Sequence, residues 1–237
     1  MSEEICTLLT GAGPFQPGQR LQPDPEEVRH LLRVRRLRPG REVWALSGKG
    51  EAACCRLVDE ETGALEVVTV HPDWREPARR VTLCVALVRP AHMDTIVAQG
   101  TALGMHALVP LLTERVERSG VRLDRWSKLA RESVKQCGRG YLPVITPARA
   151  LEDLCAAPPD GLILLDARAD QHLGELLSAG GLPAAGPCAV VVGPEGGLTL
   201  EERERLRSVG ARTAQLGSRR LRTETAAIAA LTLLNHH

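Results

Sequence analysis

Continuous apolar runs in the later two thirds of the chain, each separated from the next by helical patterns, most constrain the fold. These runs cover residues 81–88 (VTLCVALV), 161–165 (GLILL) and 188–192 (CAVVV). A strand that is apolar on both faces is typical of a parallel sheet covered by helices on both sides. Helical patterns at 93–103, 123–137, 200–209 and 224–234 alternate with the runs and with shorter strands at 107–111 and 213–216. The alternation predicts an α/β domain with a parallel sheet at residues 79–237.

The first part of the chain has a different pattern, with short strands and tight turns. Strands are predicted at 42–46 (EVWAL), 52–57 (AACCRL) and 64–70 (ALEVVTV), separated by Gly-containing turns. A short helix is expected from Pro25 through Leu32, with Asp24 as its N-cap. A chain of 237 residues is long enough for two cores. We therefore predict a small β-barrel at residues 1–74, with the segment 71–78 as the linker.

Charge distribution says more about partners than the net charge of +1 does. Six arginines fall within residues 29–41, a stretch that contains no acid. Arginine binds phosphate through planar, two-pronged contacts, so this cluster is a candidate RNA-binding face. A solvated barrel surface is the alternative. The chain has one Phe, one Tyr and three Trp, so RNA contacts are expected to depend on arginine and backbone more than on stacking.

The seven cysteines indicate neither a disulfide framework nor a zinc site, because their number is odd and no CxxC pair occurs. Adjacent Cys54 and Cys55 would point to opposite faces of a strand, which favours core filling. No signal peptide or apolar run of membrane-spanning length is evident. These patterns predict a cytoplasmic protein without a membrane partner. No His, Cys and carboxylate grouping is visible in the sequence, so no metal is expected.

Two glycine-opened loops, each between a predicted strand and a helix, are the candidate ligand-binding segments. The first is Gly193–Pro194–Glu195–Gly196–Gly197–Leu198–Thr199, which we call the glycine loop. Its glycines allow the backbone to approach a ligand closely, and Thr199 with Glu202 predicts a capping box on the next helix. A sharp turn without a ligand explains the glycines equally well. The pattern is neither GxGxxG nor a Walker motif, so phosphate binding is not indicated.

The second loop, residues 216–226 (LGSRRLRTETA), we call the arginine loop. Thr223 or Thr225 is expected to cap the last helix, with Glu224 in its first turn. Three arginines beside a helix N-terminus oppose the helix dipole. That misfit favours an anionic or electron-rich ligand over a purely structural role.

Taken together, GPEGGLTLEE and LGSRRLRTETAAIAAL resemble the paired C-terminal motifs of the RsmE family of 16S ribosomal RNA uracil-N3 methyltransferases, in the SPOUT superfamily. Residues 30–40 (HLLRVRRLRPG) are similar to the N-terminal signature of that family. Leu103–Gly104, Val109–Pro110, Glu114–Arg115 and residues 136–139 resemble the middle of its catalytic domain. The resemblance extends across nearly the whole chain. It implies a trefoil-knotted SPOUT methyltransferase domain, α/β in class, behind a PUA-like β-barrel domain.

The resemblance also implies a cofactor, S-adenosylmethionine, bent among three loops near the knot, the third of which follows the strand ending near Asp166. The implied cofactor-binding residues are Leu165, Asp166, Gly193, Pro194, Glu195, Gly196, Gly197, Leu216, Gly217, Leu221, Arg222, Thr223, Thr225 and Ala226. The implied RNA-binding residues are His30, Arg33, Arg36, Arg38 and Arg139. His30 is open to two interpretations, a core histidine or an RNA contact.

The chain departs from the pattern of the family at its beginning, which reads MSEEICTLL, in the short region after Arg115, and at two further places. A basic, Gly-containing turn often follows the first strand of the catalytic domain, and an acidic residue often precedes the Leu–Gly pair. Here those places are occupied by residues 89–92 (RPAH) and by Ala102.

Uracil N3 is a weak acid, so methyl transfer to it needs a base or a cation that stabilises the charge developing on the ring. We expect Arg222 to supply that stabilisation. Glu195 is the candidate base, with fixing of the glycine loop as its alternative role. The expected partners are 16S ribosomal RNA within the small subunit and a second copy of the chain in a homodimer. The apolar face of the last helix (Ile228, Leu231, Leu234) fits either a dimer interface or packing on the chain's own sheet.

Other functions remain open at this point. A related enzyme of the same fold would act on transfer RNA or on a ribose 2′-hydroxyl. A protein from another class would be a non-catalytic RNA-binding ribosome-assembly factor that keeps the pocket.

Overall fold

The computed structural model describes residues 4–116 and 120–236. The chain forms two compact units. The first comprises Met1–Glu76 and Arg131–Leu142, and the second comprises Pro77–Ala130 and Pro143–His237. None of the helices in the described part of the chain combines the length and the apolar character needed to cross a bilayer.

The first unit contains a mixed sheet and one short helix. Its strands are β1 (Cys6–Leu8), β2 (Arg20–Leu21), β3 (Glu42–Leu46), β4 (Ala52–Leu57) and β5 (Leu65–His71), in the order β1-β3-β4-β5-β2. β1 pairs with β3 in parallel, and the other neighbours are antiparallel. Helix α1 (Pro25–Arg29) continues into a π-helical turn, His30–Val34. The predicted strands at 42–46 and 52–57 are confirmed, and the predicted N-cap is confirmed because Asp24 accepts a hydrogen bond from the Glu27 amide.

The two adjacent cysteines lie on opposite faces of β4, as predicted. Cys55 is fully buried among Leu31, Val43 and other core residues, whereas Cys54 is partly exposed. Burial raises the pKa of the Cys55 thiol to about 12, because the thiolate would lose its hydration. Cys55 therefore behaves as a small apolar core residue.

Residues 131–142 belong to the first unit, although the boundaries predicted from sequence leave them in the second domain. Lys135 donates to the buried Glu27 carboxylate at 2.6 Å, and Glu27 also accepts from the Thr7 hydroxyl. The backbones of Gly140 and Gly50 meet directly, with the Gly50 amide donating to the Gly140 carbonyl at 3.0 Å. The position of this segment depends on an ion pair and on a glycine contact with residues distant in sequence. The local sequence pattern therefore does not show that the segment belongs to the first unit.

The second unit is an α/β layer. Its strands are β6 (Arg79–Ala86), β7 (Ala107–Leu112), β8 (Val144–Ile145), β9 (Arg149–Ala150), β10 (Leu162–Leu165), β11 (Gly186–Val192) and β12 (Arg212–Ala214). Its helices are α2 (Pro90–Ala102), α3 (Leu123–Cys137), α4 (Leu151–Ala156), α5 (Leu173–Ser178), α6 (Leu200–Ser208) and α7 (Thr223–His236); the residues of α3 are divided between the units. The sequence missed β8, β9, α4 and α5, which are short and lack a long periodic pattern.

The sheet is parallel throughout its described pairs, as predicted, with the order β12-β10-β11-β6-β7-β8 and β9 also on β7. β11 lies between β10 and β6, so its apolar run is covered on both faces, and Val190 and Val191 are fully buried. Helix α7 packs on β6, β11 and α2. Leu231 and Leu234 of that helix are fully buried within the chain. Leu231 and Leu234 therefore pack within the chain, which was one of the two alternatives, whereas Ile228 is partly exposed and the dimer interface stays a prediction.

Gly140→Ala is expected to destabilise the first unit. A Cβ at this position would lie 2.5 Å from the Gly50 carbonyl oxygen and 2.7 Å from its carbon, and backbone atoms cannot move aside cheaply. We expect a loss of about 1–3 kcal/mol in the free energy of unfolding, which for a unit of this size lowers its Tm by at least about 4 °C in calorimetry.

Gly120→Ala is the control, because no atom of the described residues lies within 4 Å of a Cβ built there. Its Tm should match that of the unmodified chain. Equal Tm values for both variants would show that the Gly140–Gly50 contact does not constrain the fold.

Candidate functional site

The carboxyl ends of three neighbouring strands meet at one edge of the parallel sheet. Leu165 at the end of β10 is in register with Val192 of β11 and with Ala214 of β12. In open parallel sheets, ligands bind beyond the carboxyl ends of strands. The loops that follow these strands enclose a cleft of about 450 Å³.

The cleft brings together the glycine loop, the arginine loop and the segment after β10. Gly196 and Leu221, from the two motif loops, both line it. Of the predicted cofactor residues, those that line it are Leu165, Asp166, Gly193, Pro194, Glu195, Gly196, Gly197, Leu216, Gly217, Leu221, Thr223 and Ala226. Arg222 and Thr225 are exposed and lie outside the lining. Arg219 and Arg220 of the arginine loop also line it, and lining residues outside the predicted loops include Arg115, Arg203 and Gln215.

The glycine loop is fixed at its helical end by the predicted capping box. The Thr199 hydroxyl accepts from the Glu202 amide, and Glu202 Oε2 accepts from the Thr199 amide at 2.8 Å. The other oxygen of the same carboxylate, Oε1, accepts from the Glu114 amide at 2.8 Å. One buried carboxylate therefore starts α6 and holds the segment that follows β7.

Backbone conformations that need glycine shape the loop itself. Gly197 has a φ of +71° and donates to the Pro194 carbonyl at 2.8 Å, closing a turn. A side chain at Gly193 would be tightly packed, since a Cβ there would lie 3.1 Å from Leu198 Cγ and 3.3 Å from the Leu198 amide nitrogen. Two arginines donate to backbone carbonyls that lie between Gly193 and Gly197. Arg115 donates to the Gly196 carbonyl at 3.0 Å, and Arg220 donates to the Glu195 carbonyl. The loop is thus held from outside as well as by its own turn.

Thr223 connects the two motif loops. Its side chain is buried, and its hydroxyl donates to the Gly193 carbonyl at 3.0 Å. The prediction that Thr223 or Thr225 caps the last helix is wrong. Thr223 is the first residue of α7, and the preceding residue, Arg222, accepts from the Ala226 amide through its carbonyl. The hydroxyl of Thr223 bonds to the glycine loop because that loop, not its own helix, lies beside it.

Asp166 presents a buried carboxylate to the cleft. Its side chain is 9% exposed, and Oδ1 accepts from the Arg168 amide at 3.0 Å. Oδ2 is buried and has no hydrogen-bond partner among the described residues, although Arg203 Nε lies 3.6 Å away and Arg207 Nη2 lies 3.5 Å away. The two guanidinium groups stabilise the negative charge of Asp166. Because neither forms a hydrogen bond with Oδ2, this oxygen can accept a hydrogen bond from a hydroxyl group.

A group of three side chains beside the cleft was not predicted. His92 Nδ1 lies 3.5 Å from Glu224 Oε2 and 3.8 Å from Glu195 Oε1. His92 belongs to the first turn of α2, Glu195 to the glycine loop and Glu224 to the first turn of α7. The expectation that no His and carboxylate grouping occurs is therefore wrong. Residues this far apart in the chain meet only through the sheet order, so no local motif signals them.

The predicted RNA-binding residues are in different environments within the first unit. Arg33, Arg36 and Arg38 are exposed, and Arg38 pairs with Glu60 at 3.2 Å. His30 is partly exposed. Arg139 is 3% exposed and its guanidinium pairs with Glu76, whose carboxylate also accepts from the Tyr141 amide. Arg139 therefore stabilises the 131–142 segment, which corrects its assignment as an RNA contact.

Comparison with known proteins agrees with this arrangement over almost the whole chain. Residues 75–235 match the family model of an RNA methyltransferase domain, and residues 23–70 match that of an RNA methyltransferase PUA domain. The ribosomal RNA small subunit methyltransferase E of Bacillus subtilis is 31% identical over 227 residues, which is 89% of this chain and 88% of that protein. Its counterpart in Synechocystis is 30% identical over 215 residues, 88% of this chain and 70% of that protein.

A solved structure gives the same result for the fold. The ribosomal RNA small subunit methyltransferase E of Neisseria gonorrhoeae, bound to S-adenosyl methionine, superposes with a TM-score of 0.85 at 27% identity. The match covers 97% of this chain and 95% of that one. The family model spans more than half of the sequence, and relatives of about 30% identity match most of it. The chain therefore belongs to the ribosomal RNA small subunit methyltransferase E family.

Proposed function

We propose that this protein transfers the methyl group of S-adenosylmethionine to N3 of a uridine in 16S ribosomal RNA of the small subunit. The observation that carries the proposal is the single cleft formed by the two motif loops and the segment after β10. The Neisseria relative in this family is bound to S-adenosyl methionine. The family name specifies methylation of small-subunit ribosomal RNA, and the N3 position follows from the motif resemblance described above.

The cleft fits S-adenosylmethionine by size and by its polar groups. A volume of about 450 Å³ is within the range of small-molecule pockets. The unbonded oxygen of Asp166 is placed to accept from ribose hydroxyls, and the backbone around Gly193, Leu216 and Leu221 supplies donors and acceptors for the adenine edge. Bound in this way, the cofactor supplies an electrophilic methyl group on its sulfonium. We infer that the loops form the trefoil knot typical of the superfamily.

Arg222 is the proposed stabiliser of the charge that develops when uracil N3 loses its proton. Its side chain is exposed outside the cofactor cleft, and its guanidinium has no ion pair within the described residues. An unpaired cation at the edge of the cleft remains available to a substrate oxygen. Preorganised positive charge of this kind is among the larger contributions to rate.

Glu195 remains the candidate base. Its side chain is 57% exposed and lines the cleft, so a substrate ring can reach it. Its alternative role, fixing the glycine loop, is supported by His92 at 3.8 Å. Glu195→Gln separates the two, because a base role requires the carboxylate whereas loop fixing through hydrogen bonds tolerates the amide.

Exposed arginines of the first unit form the proposed RNA-binding face. Arg33 and Arg36 have no ion pair among the described residues, and the exposed Arg38–Glu60 pair is of a kind that contributes little to stability. Contacts between such arginines and phosphates position RNA and weaken as salt rises. The homodimer and the cytoplasmic location stay predictions.

The direct test maps modified uridines in 16S ribosomal RNA from a deletion strain by mass spectrometry. We expect one N3-methyl mark to be lost and to return with the unmodified gene. A missing mark on transfer RNA or on a ribose instead would indicate a different enzyme of this fold. Calorimetric binding of S-adenosylmethionine with no methyl transfer to small subunits would indicate the non-catalytic assembly factor.

Replacing Thr223 with Val is expected to weaken S-adenosylmethionine binding about 10-fold, because it leaves the partly buried Gly193 carbonyl without its donor and loosens the two loops. Thr223→Ser should restore the affinity. Calorimetry measures both. Thr232→Val is the control, since the Thr232 hydroxyl donates only within its own helix, to the Ile228 carbonyl. Equal affinity in Thr223→Val and Thr232→Val would show that this bond does not shape the cleft.

Arg222→Ala is expected to lower kcat by about 10²–10³-fold while the Kd for S-adenosylmethionine stays within about twofold, because the lost cation acts on the substrate. Methyl transfer to small subunits and calorimetry give the two values. Arg80→Ala, at an exposed position of β6, is the control. Turnover by Arg222→Ala at the unmodified rate would remove Arg222 from the mechanism.

A further inference from the structure

The group formed by His92, Glu195 and Glu224 contains polar atoms that the rest of the described chain leaves unsatisfied. His92 Nδ1 and Glu224 Oε2 are both buried and have no hydrogen-bond partner among the described residues. The His92 side chain is 23% exposed and the Glu224 side chain is 14% exposed. A buried polar atom without a hydrogen bond costs about 1–3 kcal/mol, so a ligand that binds both of these atoms, which lie 3.5 Å apart, would be stabilising.

The three side chains converge on one point. One ligand-type atom from each lies within 4.8 Å of those from the other two. Tetrahedral coordination with bonds of about 2.0–2.2 Å places the ligand atoms about 3.4 Å apart. The distances of 3.5 Å and 3.8 Å from His92 Nδ1 to the two carboxylates are close to that value. The third separation, between the two carboxylates, is within 4.8 Å, so the two glutamate side chains have to move towards each other when an ion binds.

Charge also favours a cation at this point. Glu195 and Glu224 bring two carboxylates together beside one imidazole. The Glu224 side chain is only 14% exposed, so a second carboxylate beside it is repelled unless a positive charge lies between them. A divalent cation bound by the imidazole and both carboxylates would supply that positive charge.

We propose that His92, Glu195 and Glu224 form a binding site for one divalent transition-metal ion, of which Zn²⁺ is the probe. An imidazole with two carboxylates is a donor set that suits Zn²⁺, Mn²⁺, Co²⁺ or Fe²⁺. Mg²⁺ prefers oxygen ligands in octahedral geometry, so it fits less well. Glu195 is the most exposed of the three, so water completes the coordination from that side.

The position of the site gives it a consequence for the cleft. Glu195 belongs to the glycine loop, and Glu224 follows Thr223, whose hydroxyl bonds that loop. A bound ion would therefore cross-link the same two segments at a second point, and it would commit Glu195 to fixing the loop. Metal binding itself does not depend on the proposed methyl transfer, so the two proposals fail separately.

The test is titration of chelator-treated protein with Zn²⁺ in a calorimeter, with Co²⁺ absorption as a second readout. We expect one ion per chain, and visible Co²⁺ bands typical of a low-coordinate site with nitrogen and oxygen ligands. Glu224→Gln should weaken Zn²⁺ binding at least about 100-fold, since it removes a direct ligand. His236→Ala and Glu201→Gln change an exposed histidine and an exposed acid elsewhere, and both should bind as the unmodified chain does.

His92→Lys is the decisive variant, because it places a permanent cation between the carboxylates and so keeps the segment stable. It should lose Zn²⁺ binding entirely while its Tm and its affinity for S-adenosylmethionine match those of the metal-free unmodified chain. Absence of a stoichiometric Zn²⁺ site in the unmodified protein overturns the proposal. Unchanged Zn²⁺ affinity in His92→Lys also overturns it, because the ion would then be bound elsewhere.

Discussion

Parallel pairing of β10 with both β11 and β12 is the constraint on which the site depends. Because the three strands run in the same direction and in register, their carboxyl ends reach one edge together, at Leu165, Val192 and Ala214. A loop follows each of the three strands at that edge, and all three loops line the same cleft. The glycines of the motif loops allow the backbone to adopt the turns that this arrangement of strands requires. Without that pairing, the two motifs would be unrelated turns.

Much of this arrangement was predictable from the sequence because its signals are local. The apolar runs at 81–88, 161–165 and 188–192 specify strands covered on both faces, and the structure has β6, β10 and β11 there. The capping box at Thr199 depends on two residues three positions apart, so it is visible without coordinates. The two motif loops were predicted to share a ligand, and they line one cleft.

Features that depend on contacts between distant residues were not predictable. The local sequence offers either Thr223 or Thr225 as the cap of the last helix. Only the position of Gly193 beside Thr223 shows the hydrogen bond that the Thr223 hydroxyl forms. The motif at residues 136–139 predicts an RNA contact at Arg139, yet the Arg139 guanidinium is buried against Glu76. His92 was visible only as a departure from a pattern, because nothing near it in sequence reveals the carboxylates it faces. The hydrophobic periodicity of a sequence does not show which distant side chains pair.

The carboxylate of Glu202 has a consequence for which substitutions the chain tolerates. Each of its oxygens accepts from a different backbone amide, one at Thr199 and one at Glu114. Glutamine has nearly the same shape but only one accepting atom, so its NH₂ group would face an N–H donor. A replacement that is conservative by size would thus release either the beginning of a helix or the segment after a central strand. The number of accepting oxygens, rather than side-chain volume, therefore limits the residues that can replace Glu202.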